Sequence, residues 1–507
     1  MKRERNLKHN IFFLQFSPIV VFLLFFWNIS LCYLFLRCML LWRNAFPRSR
    51  NELESERARG DAFTWVVSLE ARAGALATIH SFIVSCPDLV TDDIIRRLTV
   101  PLEKALDLLS WLEDGNSPLK SYNGALVAPA ATVRLRFLEV VATLPPSCLE
   151  KQNATLLKLL VSVFCPVRDS TSPTSTSLLA SVCHQDDLLL LGGDIPDKLE
   201  TFLEEQLQPL SAAGSIALEH DPCWLYRRTQ PDLSFPDIEP SGVGGKDCDV
   251  TAAPLPLGVS VVDQSILVFG KVFPRAASKH RHQILIHFTE RLKTVKAGKL
   301  SDVLQTNIFA ALLCGLRGLG EGKAQLGSKE LVNLATSLIT NQLTSAHPAL
   351  RCAAGECLGR MAQVVQDNKY IAERAQHSVD FLKTARDVAS RTGHSFALCC
   401  LHRYVGSLGS SQHLATSVSI LLALAQDSAS PVVQAWALHA LAVIADSGGP
   451  MFRDCIDSAL ACTLRLLLSV PATQTEVLVS LGKLLAAIIT TLGPELASNG
   501  NGVARHR

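Results

Sequence analysis

The sequence predicts an all-α protein built as a solenoid, a superhelix of stacked antiparallel helix pairs. Two observations lead there: a helix motif that recurs, and the distance between its copies. One copy reads Pro348-Ala349-Leu350-Arg351-Cys352-Ala353-Ala354-Gly355-Glu356-Cys357-Leu358 and another reads Pro431-Val432-Val433-Gln434-Ala435-Trp436-Ala437-Leu438-His439-Ala440-Leu441. Both run proline, small, aliphatic, long polar, two residues, alanine, two residues, small, leucine. They lie 83 residues apart, about twice the roughly 40-residue period of a HEAT or armadillo unit. A third copy is therefore expected between them. Val388–Leu398 fills the place, with Arg391 and Leu398 spaced like Arg351 and Leu358 but without the proline.

Each feature of the motif has a physical reading. Proline fits the first turn of a helix, where its missing N–H has no intrahelical partner. Positions 350, 354, 357 and 358, and 433, 437, 440 and 441, recur at steps that share one helix face. Alanine and glycine among them let neighbouring helices come close. A single helix pair cannot bury such a face alone, and stacking neighbours makes a continuous core. Solenoids of this kind commonly serve as binding surfaces for other proteins.

Along the chain, residues 1–43 form an apolar prefix. Residues 44–221 carry a first set of HEAT-like helices: Ala62–Ser85 and Thr91–Leu112, then Thr132–Leu144 and Leu149–Phe164, with shorter pieces at Leu199–Leu207 and Leu210–Leu218. Asp169–Ser177, rich in Ser, Thr and Pro, reads as a connector that kinases could also modify. Residues 222–258 hold six prolines and four glycines and interrupt the array. Loops this long inside a helical array are commonly functional or disordered. Residues 259–496 return to helical patterns, which Gly493-Pro494 is expected to end, and 497–507 are a polar, disordered tail.

From Ile11 to Leu36 there is no charged residue, and seven of the chain's 21 phenylalanines fall there. About 20 apolar residues span a bilayer, so the stretch is long enough for a membrane anchor. Basic residues flank both ends, which leaves the orientation open. Translated non-coding sequence or an alternative first exon is the competing reading, because composition changes abruptly near Trp42. The formal net charge is +2, and no basic stripe with interleaved aromatics argues for nucleic acid. Fifteen cysteines occur without a Cys-x-x-Cys spacing. Cys314, Cys352, Cys357, Cys399, Cys400 and Cys462 sit in apolar helical runs, where reduced cysteine acts as a small hydrophobe. A reducing cytosol is expected.

No catalytic, cofactor-binding or metal-binding residue is assigned. His280, His282 and His287 lack carboxylate or cysteine partners at ligand spacing and read as a polar helix face. His394 and His402 have no nucleophile with an evident base, and His439 reads as packed or solvated. Gly318-Leu319-Gly320-Glu321-Gly322 is placed between helices and follows no strand, so it is not read as a phosphate cradle. Asn153-Ala154-Thr155 matches a glycosylation sequon that has no meaning in the cytosol.

Longer runs resemble the HEAT repeat-containing protein 5 family. They include Asn44–Ser49, Arg59–Trp65, Leu69–Leu76, Cys183-His184-Gln185-Asp186-Asp187-Leu188-Leu189, Leu218–Pro222, Leu350–Ala354, Ala385–Val388, Arg391–Ser395, Leu401-His402-Arg403-Tyr404, Ser410–Leu414 and Ile489–Leu496. The resemblance covers about Trp42 to Leu496 and matches an internal portion of much longer proteins; residues 1–41 have no counterpart. It implies a non-enzymatic scaffold in vesicle traffic between endosomes, the trans-Golgi network and the plasma membrane. The implied partners are aftiphilin, gamma-synergin and the trans-Golgi clathrin adaptor complex. The implied location is cytoplasmic, peripheral to trans-Golgi and endosomal membranes. A protein anchored through residues 11–36, or an importin-like transport receptor, are the alternatives.

Overall fold

The computed structural model describes residues 42, 44–46, 50–113, 122, 124–166, 174–179, 187, 190, 255–295, 298–405 and 411–498. Every regular element among them is a helix. The described residues up to Cys148 form one compact unit, and those from Leu149 onward form a second. The expected anchor at 11–36, the pieces at 199–218, most of the interruption at 222–258 and nearly all of the tail lie outside the described residues.

The first unit contains α1 (Arg50–Arg59), α2 (Ala62–Ser85), α3 (Asp92–Glu113) and α4 (Val127–Thr143). Asp61 opens α2 by accepting the Thr64 amide at 2.8 Å, satisfying one of the orphan donors of the first turn. Helices α2 and α4 pack side by side, with α3 against α4. Trp65 of α2 stacks on Trp111 of α3 with ring centroids 5.8 Å apart. Trp42, which falls within the prefix by the 1–43 boundary, is fully buried and donates to Thr78 at 2.8 Å.

The second unit contains α5 (Asn153–Phe164), α6 (Leu257–Val272), α7 (Ser278–Thr294), α8 (Lys299–Glu321), α9 (Lys329–Thr340) and α10 (Pro348–Val365). It continues with α11 (Asn368–Thr384), α12 (Val388–Val405), α13 (Ser411–Ala425), α14 (Pro431–Gly448), α15 (Ile456–Ser469) and α16 (Thr475–Ser498). Packing sorts them into two layers. In the first, α5, α6, α8, α10, α12, α14 and α16 each lie against the next. In the second, α7 lies against α9 and α11 against α13, while α15 backs α16. This is an all-α, HEAT/armadillo-like solenoid of stacked helix pairs.

The three motif copies are α10, α12 and α14, consecutive members of the first layer. Pro348 and Pro431 stand in the first turns of α10 and α14, and the motif's apolar positions are buried. The long polar position has a common task. Arg351 donates to the Ser345 and Ala346 carbonyls at 2.8 and 3.0 Å, Arg391 to the Ala385 carbonyl at 3.0 Å, and Gln434 to the Ala425 carbonyl at 3.0 Å. In every copy this side chain reaches back to carbonyls of the chain just before its helix and ties that chain to it.

Two helix ends differ from expectation. The Gly318–Glu321 run lies within the last turns of α8 rather than between helices. A Cβ at Gly318 would come within 2.6 Å of the Gly270 carbonyl oxygen of α6, so glycine there serves close helix approach. The second is Gly493-Pro494, which α16 runs through to Ser498. A proline this close to the helix end removes one amide donor and leaves most of the helix's bonds intact.

Helix α6 with the turn that follows it, and helix α8, are long and apolar enough to cross a membrane, at Leu257–Arg275 and Leu300–Glu321. Both stretches are mostly buried, 72% and 61%, inside the second unit. They pack as core helices of the first layer.

Candidate functional site

Polar side chains in helices that are apolar all round are costly unless paired. The first layer carries one or more on nearly every helix: Asp263 on α6, Asn307 on α8, Glu356 on α10, Arg403 on α12 and His439 on α14. Asp263, Asn307, Glu356 and His439 are no more than 5% exposed. Four of these five are paired with residues outside the stacked helices, 174–177 and 187, that lie against this layer.

At α6 and α8 the pairing is largely to backbone. Asn307 accepts the Thr176 amide at 2.8 Å and donates to the Thr174 and Phe164 carbonyls at 2.9 and 3.0 Å. Its amide group thus engages both a main-chain donor and main-chain acceptors. Asp263 accepts the Thr176 hydroxyl at 2.6 Å and the Ser177 amide at 3.0 Å, and the Ser177 hydroxyl as well. The Asp169–Ser177 connector is therefore seated at its described end, with Ser175 and Thr176 buried.

At α12 and α14 the pairing is ionic. Arg403 donates to both oxygens of Asp187, at 2.8 and 2.7 Å, in the forked geometry that makes guanidinium–carboxylate pairs strong. His439 Nε2 lies 2.7 Å from the same carboxylate. Asp187 and His439 are each 1% exposed as side chains. Beneath them Glu356 takes Arg403 at 3.3 Å, Arg360 at 2.9 Å and the Tyr404 hydroxyl. The Arg360 guanidinium lies 4.7 Å from the Tyr404 ring centroid.

Asp187 and Glu356 face Arg403 and Arg360, with His439 against Asp187. Burial pushes the Asp187 carboxyl up, but the hydrogen bonds and charges of Arg403 and His439 outweigh it and bring it down to about 2. Burial works against the Arg403 charge, and Asp187 more than restores it, so its pKa is raised above an already high value. The Tyr404 phenol is raised by burial and by Glu356, which keeps it a donor. The Cys400 thiol, 3.9 Å from Glu356, is raised well above the ordinary thiol range by burial and so is a poor nucleophile. The arrangement holds a buried carboxylate and main-chain groups of the same chain.

The histidines considered from sequence lie elsewhere. His287 meets the Cys165 carbonyl at 3.0 Å, while His280 and His282 are half-buried on α7. His394 is buried against Phe381, stacked at 4.5 Å, with Ser378 Oγ at 3.3 Å. Burial and the nearby His377 lower its pKa to about 4, so it is neutral. His402 faces Ser417 Oγ at 3.3 Å in the core. Among the described residues no group of three or more His, Cys, Asp or Glu is placed to hold a metal ion. His439, read from the sequence as packed or solvated, is packed and within hydrogen-bond distance of Asp187. The Cys183–Leu189 and Leu401–Tyr404 runs, both carriers of the family resemblance, meet through Asp187 and Arg403.

No family model matches the chain. It is similar to protein SWEETIE of Arabidopsis thaliana, 24% identical over 465 residues. That match covers 90% of this chain and 19% of the plant protein, so the chain spans about a fifth of that relative's length. Among solved structures, similarity is found to the karyopherin Kap121p bound to the extreme C-terminus of the phosphatase Cdc14p, at 11% identity and a TM-score of 0.41. That alignment covers 88% of this chain and 39% of the karyopherin. Kap121p bound to Nup53p aligns at 13% identity with a TM-score of 0.38, over 89% of this chain and 43% of the other.

Proposed function

We propose that the protein is a non-enzymatic scaffold that binds other proteins through its solenoid, and that it serves clathrin-adaptor-dependent traffic between endosomes and the trans-Golgi network. The observation that carries the scaffold reading is the stack of helix pairs in the second unit, an architecture in which each pair is completed by its neighbours and whose repetition presents a long continuous surface. Support for the trafficking role is the run-by-run resemblance to the HEAT repeat-containing protein 5 family. In this reading aftiphilin, gamma-synergin and the trans-Golgi clathrin adaptor are the partners, and membrane association is peripheral, through them.

The test is affinity capture with the tagged full chain expressed in cells, with mass spectrometry of what it retains. Recovery of aftiphilin, gamma-synergin or clathrin-adaptor subunits above a tag-only control is expected. A soluble, cooperatively melting bait that retains none of them overturns the trafficking role. Alkaline carbonate extraction addresses the anchor: a peripheral protein is released, and retention in the pellet instead favours a span through residues 11–36.

A further inference from the structure

Helix α16 is apolar on two faces. Val477, Leu481, Leu484 and Ile488 share one face and are buried, and the helix packs against α14 and α15. The other face is open: Val479 is 49% and Ile489 50% exposed, and Gly482 and Ala486 between them are exposed as well. Between Glu476 and Glu495 the sequence carries one charged residue, Lys483. A solvated helix face normally carries charge, as α7 does with exposed Lys279, Glu290 and Lys293. Among the described residues α16 has a first-layer neighbour on one flank only, whereas α6, α8, α10, α12 and α14 have one on each.

Three properties of the open face point to helix pairing. Val479, Gly482, Ala486 and Ile489 follow one another at steps of three, four and three residues, the spacing of a coiled-coil seam. Their order, large, small, small, large, reads the same from either end. An antiparallel copy therefore meets it with Val479 opposite Ile489 and Gly482 opposite Ala486. Gly482, finally, has no packing task inside the chain. A Cβ at Gly270 would come within 2.8 Å of α8, and one at Gly355 or Gly359 within 2.5 Å of α12, so those glycines admit a neighbouring helix. At Gly482 a Cβ would meet nothing within 4 Å, and glycine inside a helix is destabilising unless a close approach requires it.

We infer that a second copy of this chain covers the open face, through an antiparallel two-fold pairing of α16 with α16 of the other copy. The contact continues the first-layer interface: one more helix lies on the free flank of α16 as α16 lies on α14. A two-fold contact needs a self-complementary patch, which the palindromic order supplies. Antiparallel packing also sets the two helix dipoles in opposition. Gly482 and Ala486 form the centre, where the backbones approach, and Val479 and Ile489 close the two ends. The pairing does not rest on the adaptor partners proposed above.

The test is sedimentation velocity of the purified full chain over a range of micromolar concentrations. A species of twice the chain mass is expected, growing with concentration. Val479→Glu and Ile489→Lys, each alone, put unpaired charge into the seam and are expected to weaken pairing about tenfold or more. The two together are expected to restore it, because each introduced carboxylate then faces an introduced ammonium of the other copy. Gly482→Leu occupies open space within one copy, so its thermal midpoint should not fall, yet pairing should be lost. A single copy at every concentration overturns the proposal and leaves the face to a helix of a different protein. A dimer indifferent to all these substitutions also overturns it, since pairing would then use another surface. A combined variant that pairs no better than the single ones overturns the antiparallel register. Should either charged variant fail to melt cooperatively, Gly482→Leu decides by itself.

Discussion

The two layers of the second unit solve the same burial problem in different ways. In α12 of the first layer, every residue from Thr392 to His402 is buried. In α7 of the second layer, only Leu285, Phe288 and Arg291 are, at a three-residue step along one face. A helix covered on one side keeps a stripe, and a helix covered all round loses it. The first layer has neighbours on both flanks, the second layer behind it, and residues 174–179 and 187 against it at several helices. Close approach and internal charge pairing replace amphipathicity there. Perturbations of the first layer should therefore be costly and those of the second layer's outer face nearly silent.

The largest expected effect is Arg403→Ala. It strands Asp187 and Glu356 in the interior with one positive partner fewer, and breaking a buried pair this way costs about 3–5 kcal/mol. Urea unfolding at neutral pH reads it as a shift in midpoint with little change in slope.

Acid should unfasten the first layer in two stages. His394 is held neutral, with its pKa lowered to about 4 from an ordinary 6.5. The unfolded chain binds that proton more readily than the folded one. Stability from this group is therefore complete above pH 6.5 and is lost as pH falls toward 4, a change of about 3 kcal/mol in the linkage arithmetic. Asp187 behaves differently. Its stabilising contribution is present above its ordinary 3.8 and is lost only as pH falls through about 2. Urea midpoints should decline between pH 6.5 and 4, and His394→Phe should flatten that decline.

A smaller effect is expected from Gly359→Ala. The added Cβ would lie 2.5 Å from the Cys400 carbonyl oxygen of α12. Backbone cannot yield as a flexible side chain does, so α10 and α12 must separate, at about 1–3 kcal/mol. A lowered thermal midpoint with unchanged helicity by circular dichroism is the expected result. On the second layer, Leu468 of α15 is 91% exposed, and Leu468→Ser should change stability by about 0.5 kcal/mol or less. A larger loss would mean that this face is covered by something else.

Much of the fold is legible because its signals are local. Pro348 and Pro431 mark helix starts by their fixed backbone angle, and the small and leucine positions of the three copies repeat at a helical step. Ala62–Ser85 is bounded by Asp61, a capping residue, and by Cys86-Pro87. The break before α12 is harder to see. Asp387 caps that helix by accepting the Ser390 amide at 2.7 Å, but no glycine or proline announces it. The glycines of α8 misled for a related reason: near a helix end, Gly318 looks like punctuation, and only the approach of α6 shows it to be a packing residue.

The candidate site was not legible, because its partners are remote. Asp187 and Arg403 stand 216 residues apart, and Asp187 and His439 stand 252 apart. Asp263, Asn307, Glu356, Arg403 and His439 are spread over five helices, so no short motif contains them. One signal was available. Asp263 and Asn307 lie within helices otherwise apolar enough to pass as membrane spans, and a polar group there must have a partner.

The most direct test of the account is a double-mutant cycle on Asp187 and Arg403, with Asp187→Asn and Arg403→Ala alone and together, read by urea unfolding of the full chain. If the first layer grips the segment through this pair, the two losses overlap and the coupling is about 2 kcal/mol or more. Losses that simply add would contradict the account, because Asp187 and Arg403 would then be stabilised by other neighbours and the grip on the segment would not exist.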